Sequence, residues 1–208
     1  MIYLYLLDVR NLVGPAVYTV SSSYMVPRLA AMFGTNAYET PVGFKHVAAK
    51  MVETEAIIGG EESGGFGYKM HLLDRDGLAS GVFVLDFIIS RGRAMSEAIA
   101  EVQRLVGPSV FSRVDIPLEK GLRTRTRAAL ADLVALRAGE LPHGVFTRSI
   151  ALEHGEGIKC YIEDGSWLLI RLSGTEGLLR IYAEARSKEG VAGLIDAGHD
   201  MLDIRRSS

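Results

Sequence analysis

The sequence predicts an α/β domain with a parallel or mixed sheet over residues 1–108, followed by an α+β domain with an antiparallel sheet over residues 109–208. Three observations carry that prediction. From residue 16 to residue 58, apolar runs of strand length alternate with helical periodicity, the signature of βαβ units. Gly107-Pro108 then punctuates the chain, because the pair stops a helix and favours a turn. Beyond it, short strand-like runs separated by tight turns follow one another, with two amphipathic segments to pack them.

The elements are read in order. Met1 to Leu7 is apolar, with no basic segment before it and with Asp8 and Arg10 close behind, the reverse of a secretory signal. Such an opening points to a chain that begins mid-architecture. Ala16 to Val20 reads as a buried strand, and Ser21-Ser22-Ser23 as N-cap chemistry for the next helix. Met25, Leu29, Met32 and Phe33 recur at helical spacing, with Gly34 as the stop. Asn36 to Thr40 predicts a second strand, Phe44 to Val52 a second helix, and Ala56-Ile57-Ile58 a third strand running into Gly59-Gly60. Leu78 to Ile89 is apolar nearly all round, and the need for a crossover there favours a buried helix over a strand. Asp86 interrupts its apolar run, which is too short to span a bilayer. Met95, Ile99, Val102 and Val106 mark one more helix. In the second half Arg113 to Ile116 predicts a short strand, and Leu130, Leu133 and Val134 one helix face. Strands are expected around residues 145–151, 158–163, 167–172 and 178–185, and Val191, Leu194, Ile195 and Leu202 stripe a closing helix.

Composition removes several function classes. A net charge of −2 leaves no electrostatic footprint for nucleic acid or an anionic membrane, so any phosphate affinity must come from a local site. The run Arg123-Thr124-Arg125-Thr126-Arg127 reads as a solvated helix start. Cys160 is the only cysteine, which excludes an intrachain disulfide and a cysteine-rich metal site and fits a reducing cytoplasm. It lies in a strand-like run and reads as packing, not as a nucleophile. The histidines show no metal-ligand spacing, and His46 reads as a partly buried helix residue.

Two short motifs carry chemistry. Gly60-Glu61-Glu62-Ser63-Gly64-Gly65 follows a buried strand, and in open α/β sheets ligands bind beyond the carboxyl ends of strands. Its glycines allow a sharp turn and close approach of a ligand. Glu61 accepts two hydrogen bonds and the Ser63 hydroxyl donates or accepts, which suits vicinal sugar hydroxyls. A solvated glycine-rich loop is the alternative; a glycosidase pair is disfavoured, since adjacent carboxylates diverge and cannot flank a bond. The second motif, Arg171-Leu172-Ser173-Gly174-Thr175-Glu176, sits between two strand-like runs. Arg171 offers a planar fork for phosphate, Ser173 and Thr175 offer hydroxyls, and Gly174 permits dihedrals that turn backbone N–H groups inward as an anion nest. A plain polar hairpin tip is the alternative there.

Together and in this order, the two loops resemble those of the α-D-phosphohexomutase family, which includes phosphoglucomutase and phosphomannomutase. The likeness implies sugar-contacting roles for Glu61 and Ser63 and phosphate contacts for Arg171, Ser173, Gly174 and Thr175. Pro41-Val42-Gly43-Phe44-Lys45 resembles the segment preceding the sugar loop, which makes Lys45 a candidate active-site cation. Arg75-Asp76-Gly77 resembles the Lys-Asp-Gly that opens the next helix, and Arg180-Ile181-Tyr182-Ala183-Glu184 the strand leaving the phosphate loop. The resemblance is to the third and fourth of four family domains, a βαβ domain and an α+β domain of the TATA-binding-protein-like type. It implies exchange of phosphate between hexose 1-phosphate and hexose 6-phosphate, of glucose or mannose, through a bisphosphate. Glu-Glu-Ser-Gly-Gly is more similar to the gluco- and mannomutase loop than to that of phosphoglucosamine mutases. Gly177 departs from the family pattern, where a proline is usual.

The family also uses a phosphoserine in its first domain and a Mg²⁺ ion on an Asp-Gly-Asp-x-Asp loop in its second. Neither motif occurs in these residues, and Asp74-Arg75-Asp76 reads as a capping turn, not a metal site. The chain is therefore expected to bind hexose phosphate without converting it. The chain is expected to be a truncated gene product, an expressed fragment, or one member of a split enzyme whose partner is a separate chain bearing the N-terminal domains. A stand-alone sugar-phosphate-binding module remains the rival.

Overall fold

A computed structural model describes residues 1–92, 94–136, 141, 146–152, 157–174 and 176–202. The chain divides into two compact units, Met1–Pro108 and Ser109–Ser208.

The first unit is a three-layer α/β/α sandwich around a four-stranded sheet of order β2-β1-β3-β4. Strand β1 (Ala16–Thr19) pairs in parallel with β2 (Ala37–Thr40) and β3 (Ile58–Gly60), while β4 (Phe66–Tyr68) runs antiparallel to β3. Successive strand residues face opposite sides, so Ala16 and Val17 serve different cores. Ala16 packs with Leu29 and Ala30 of α2 (Met25–Met32) and with α1 (Ile2–Leu4), which runs directly into a π-helical turn, Tyr5–Val9. Val17 packs on the other face with Phe44, Val47 and Met51 of α3 (Phe44–Thr54). Helices α4 (Gly77–Arg91) and α5 (Met95–Val106) complete the first layer through Phe87, Ala98 and Val102. Gly34 stops α2 with a φ of +68°.

Several expectations are corrected here. The third strand is Ile58–Gly60, so Gly59 and Gly60 belong to the sheet and not to the loop. A Cβ on Gly59 would lie 2.3 Å from Met51 Sδ, and one on Gly60 would lie 2.4 Å from the Phe66 ring. These glycines serve close packing of helix and hairpin, not approach of a ligand. Helix α4 exists but is not buried: Leu78 is 87% exposed, and Val82, Leu85 and Ile89 also face outward. Its core face, Phe87 with partly buried Phe83, meets Tyr5, and uniform hydrophobicity concealed which side that was. On α5, Met95 and Ile99 are likewise exposed, while Ala98, Val102 and Val106 are buried. Tyr24 stands at the N-cap position of α2 without a side-chain cap bond of its own, but Ser23 Oγ accepts the N–H of Met25, the first helical residue, at 3.0 Å, so one of the three serines does serve the helix start.

The second unit is a five-stranded sheet of order β5-β9-β8-β7-β6 in which every pairing is antiparallel. The strands are β5 (Val110–Pro117), β6 (Arg148–Ala151), β7 (Gly157–Tyr161), β8 (Trp167–Leu172) and β9 (Leu178–Ala185). Helices α6 (Lys120–Ala135) and α7 (Lys188–Met201) bury Leu130, Leu133, Val191, Leu194 and Ile195 with Ile158, Cys160, Leu168, Ile170, Ile181 and Ala183. β5 is longer than the short run expected at Arg113–Ile116, because half-buried and exposed residues alternate along all of it. Cys160 sits in this core, and desolvation pushes its thiol up to about 12.

Candidate functional site

Each unit carries one of the two motif loops. In the first, Glu61 N–H donates to Gly65 O at 3.0 Å and Gly64 N–H donates to Glu61 O at 3.1 Å. Gly64 takes a φ of +90°, so the strand pair β3–β4 closes in a tight turn with Glu62 and Ser63 at its tip. Glu61 is buried, and its Oε1 accepts the Gly43 N–H at 3.1 Å. That bond ties the segment before α3 to the loop and places Lys45, exposed in the first turn of α3, on an adjoining element. Ser63 is exposed. Arg75 reaches the same loop: a Cβ on Gly65 would lie 2.5 Å from Arg75 Cδ, and the guanidinium sits 5.9 Å from the Phe44 ring centroid.

Asp76 behaves as the capping residue the sequence suggested. Its Oδ1 accepts Ala79 N–H at 2.9 Å, and its Oδ2 lies 2.8 Å from His71 Nε2. The Ala79 N–H first, and then His71, hold its carboxyl below the usual range. Asp74 accepts its neighbour's N–H, from Arg75. With these acids already engaged by backbone and histidine, and no cluster of three acidic, histidine or cysteine side chains fit to hold a metal among the described residues, this donor set does not suit Mg²⁺.

In the second unit, β8 and β9 bracket the other motif. Arg171 is 8% exposed, yet its Nε is buried with no hydrogen-bond partner. Its remaining contacts are long: Nη1 to Leu172 O at 3.3 Å and Nη2 to the Tyr182 hydroxyl at 3.4 Å. Directly across the strand pair stands Arg180, a like charge. Arg180 is compensated by Glu176 and, at 3.6 Å, by Asp115. Arg171 has no carboxylate partner among the described residues. Ser173 is buried and its Oγ accepts Glu176 N–H at 3.2 Å, leaving the hydroxyl hydrogen to donate. Gly174 does not adopt a positive φ, so the nest geometry expected of it is not what its backbone forms. Thr175 lies outside the described residues.

Sequence reasoning missed Arg123. It was assigned to a solvated helix start, but its Nη1 donates to Glu176 O and its Nη2 to Ser173 O, both at 3.0 Å. One guanidinium thus spans both ends of the loop, which leaves other loop groups free for a ligand. The helical period placed Arg123 on a partly buried face three residues before buried Thr126, the only signal available.

An α/β/α unit whose strands end in an acidic turn is thus followed by an antiparallel unit whose hairpin carries an arginine with no carboxylate partner among the described residues. Residues 1–105 match "Phosphoglucomutase/phosphomannomutase, alpha/beta/alpha domain III", and residues 122–198 match the same family's "C-terminal domain". The chain belongs to the phosphoglucomutase/phosphomannomutase family. It is 28% identical to the phosphoglucomutase/phosphomannomutase of Thermococcus kodakarensis, over 91% of this chain and 38% of that protein. It is 32% identical to the phosphoglucosamine mutase of Methanococcus maripaludis, over 88% of this chain and 38% of the relative. Among solved structures, a putative phosphomannomutase from Thermus thermophilus superposes with a TM-score of 0.70 at 28% identity, covering 97% of this chain and 39% of the other. The Paramecium phosphoglucomutase-like parafusin shares the fold with a TM-score of 0.76 at 20% identity, over 91% of this chain and 38% of its own. The chain therefore spans under two-fifths of the length of these relatives.

Proposed function

We propose that this chain is the hexose- and phosphate-recognising portion of a phosphohexomutase that interconverts hexose 1-phosphate and hexose 6-phosphate through a bisphosphate. Glu61 and Ser63 take the ring hydroxyls, with Lys45 as the nearby cation. Arg171, Ser173, Gly174 and Thr175 take the phosphate. The observation that carries this reading is the buried Arg171 guanidinium, whose Nε has no partner among the described residues and which faces a second arginine across the strand pair. A charge left in that state is stable only if an anion completes it in the working state.

The sequence carries neither the family's phosphoserine motif nor its Asp-Gly-Asp-x-Asp motif, and no cluster fit to hold Mg²⁺ occurs among the described residues, which supports binding without turnover by the isolated chain. Magnesium appears in the name of an Aspergillus fumigatus N-acetylphosphoglucosamine mutase structure of related fold, and in the complete enzyme it belongs to the N-terminal polypeptide. That polypeptide, attached or as a separate chain, is the partner. The outward row Leu78, Val82, Leu85 and Ile89 on α4 gives it an apolar surface to cover, and the relatives carry more than half their length beyond the matched region. The site of action is the cytoplasm; no helix among the described residues is long and apolar enough to cross a membrane.

Calorimetric titration with glucose 1-phosphate, mannose 1-phosphate and glucosamine 1-phosphate tests the reading. Binding of a hexose phosphate that Arg171→Ala abolishes is expected, with no conversion of the 1-phosphate by the chain alone. Turnover by the pure chain would overturn the division of labour. Binding that persists in Arg171→Ala would overturn the site. Tight binding with no rescue of activity by any N-terminal polypeptide would favour a stand-alone sugar-phosphate-binding module.

A further inference from the structure

Glu62 and three hydroxyls at the carboxyl end of β1, those of Thr19, Ser21 and Ser22, take no part in the ligand contacts proposed above, yet they meet one another. β1 and β3 lie side by side in parallel, with Tyr18 opposite Gly60, so the segments leaving their carboxyl ends are neighbours. Ser21 Oγ lies 2.6 Å from Glu62 Oε2, and Thr19 Oγ1 lies 3.4 Å from the same oxygen. Thr19 Oγ1 also lies 3.2 Å from Ser21 Oγ and 3.0 Å from Ser22 Oγ. Thr19, Ser21 and Ser22 are all buried, whereas Glu62 is only partly so.

The donor direction follows from chemistry. An ionised carboxylate only accepts, so the Ser21 hydroxyl donates to Glu62, and a bond of this length to a charged oxygen is among the stronger kinds. Because Ser21 is buried, it has no water to turn to if the carboxylate moves away. Thr19 sits within reach of both Ser21 and Ser22 and limits how the Ser21 hydroxyl can rotate.

Glu62 occupies the tip of the turn closed by the Glu61–Gly65 and Gly64–Glu61 backbone bonds. On one side of that tip Glu61 is tied to Gly43; on the other, Ser63 is exposed and carries no such tie among the described residues. Among the described residues, the side chain that fixes the tip to the sheet framework is therefore Glu62, through Ser21.

We infer that the Ser21–Glu62 contact is a latch that positions Glu61 and Ser63 for the hexose, with Thr19 and Ser22 aligning the Ser21 hydroxyl. This rests on the reading of the loop as the hexose site. Ser21 and Glu62 are positioning residues: they act through the turn and touch no ligand.

The test uses three variants of the full chain. Ser21→Ala removes the donor. Glu62→Ala breaks the same contact from the partly exposed side, which keeps the question open to measurement should the buried alanine not fold. Glu62→Gln keeps an amide oxygen for the serine and serves as the conservative variant. In ligand-free protein, amide exchange at Glu61 and Gly64 should accelerate roughly tenfold in both alanine variants and stay near wild type in Glu62→Gln. Affinity for glucose 1-phosphate should fall roughly tenfold in the alanine variants while affinity for inorganic phosphate stays constant. Unchanged exchange in both alanine variants overturns the latch, whether or not any ligand binds. Equal losses for both ligands, together with a lowered melting temperature, make the contact a stability feature and overturn its positioning role. A wild type that ignores glucose 1-phosphate defeats the hexose reading alone, since the exchange measurement still decides the latch.

Discussion

Replacing Arg171 with methionine separates an anion site from a structural arginine, because the two roles predict opposite changes in stability. In the structure, Arg171 is nearly buried, its Nε lacks a partner and its other two nitrogens make bonds of 3.3 and 3.4 Å. A buried polar group left unsatisfied costs about 1–3 kcal/mol. Arg180 directly across the strand pair adds like-charge repulsion. Methionine keeps the length and apolar stem of the side chain and removes the charge. Arg171→Met is therefore expected to stabilise the second unit by about 1 kcal/mol, or roughly 4–8 °C in melting temperature for a domain of this size. The same change removes two or more charge-assisted bonds to phosphate, each worth about 1.5–3 kcal/mol. At about 1.4 kcal/mol per decade, affinity for inorganic phosphate should fall at least about 100-fold. Differential scanning calorimetry with and without phosphate reads both effects. Phosphate should raise the melting temperature of the wild type and leave the variant unmoved. A variant that melts lower than the wild type and still binds phosphate would refute the reasoning outright.

Other positions give sharper single readouts. Arg123→Ala removes both bonds to the loop carbonyls, and since this side chain is only partly buried the loss should be about 1 kcal/mol, a fivefold to tenfold weaker phosphate affinity by calorimetry. Arg123→Lys should not restore it, because a single ammonium cannot span two carbonyls in fork geometry. Cys160, with its thiol pushed up to about 12, should resist an aromatic disulfide reagent at pH 8 in the native chain and react fully after guanidinium unfolding. Prompt native labelling would contradict the packed position of β7. Asp76 has its pKa depressed by the Ala79 N–H and by His71, so its contribution to stability is complete above its unfolded value of about 4 and is lost as pH falls through the lower folded value. Asp76→Asn should flatten the acid limb of the unfolding curve between those two values, with proton exchange at Ala79 N–H as the local check.

Much of this architecture was legible because it rests on local rules. The strand–helix alternation, the Gly34 stop, the Asp76 cap and the apolar stripe of α7 follow from periodicity and capping chemistry confined to a few neighbouring residues. What failed depended on partners far along the chain. Leu78 to Ile89 is apolar all round, so no moment distinguishes the face toward Tyr5 from the face left open. Gly59 looked like a ligand-approach glycine because nothing nearby in sequence announces Met51 at 2.3 Å from its would-be Cβ. Arg123 looked solvated because its acceptors are backbone carbonyls about fifty residues away, and carbonyls leave no mark in a sequence. Of Ser21-Ser22-Ser23, Ser23 does accept the first N–H of α2, but nothing local announced that Glu62 on the neighbouring strand end takes Ser21.

The hidden partners of the two motif loops share a direction. Each ties a loop to the scaffold without occupying the groups proposed for the ligand. Gly43 N–H takes Glu61 Oε1 and leaves Oε2; Ser21 takes Glu62 and leaves Ser63 exposed; Arg123 takes two carbonyls and leaves Arg171 Nε unpaired. A loop fixed from behind loses less entropy on binding, so even a few polar contacts yield affinity. That arrangement suits a segment whose task is to hold a sugar phosphate still, because holding depends on preorganised donors, whereas phosphoryl transfer further requires a nucleophile and a cation. The proposed recognition is also compatible with a chain under two-fifths of its relatives' length, since both loops draw all their described supports from within their own unit, Gly43 and Ser21 in one, Arg123 and Arg180 in the other.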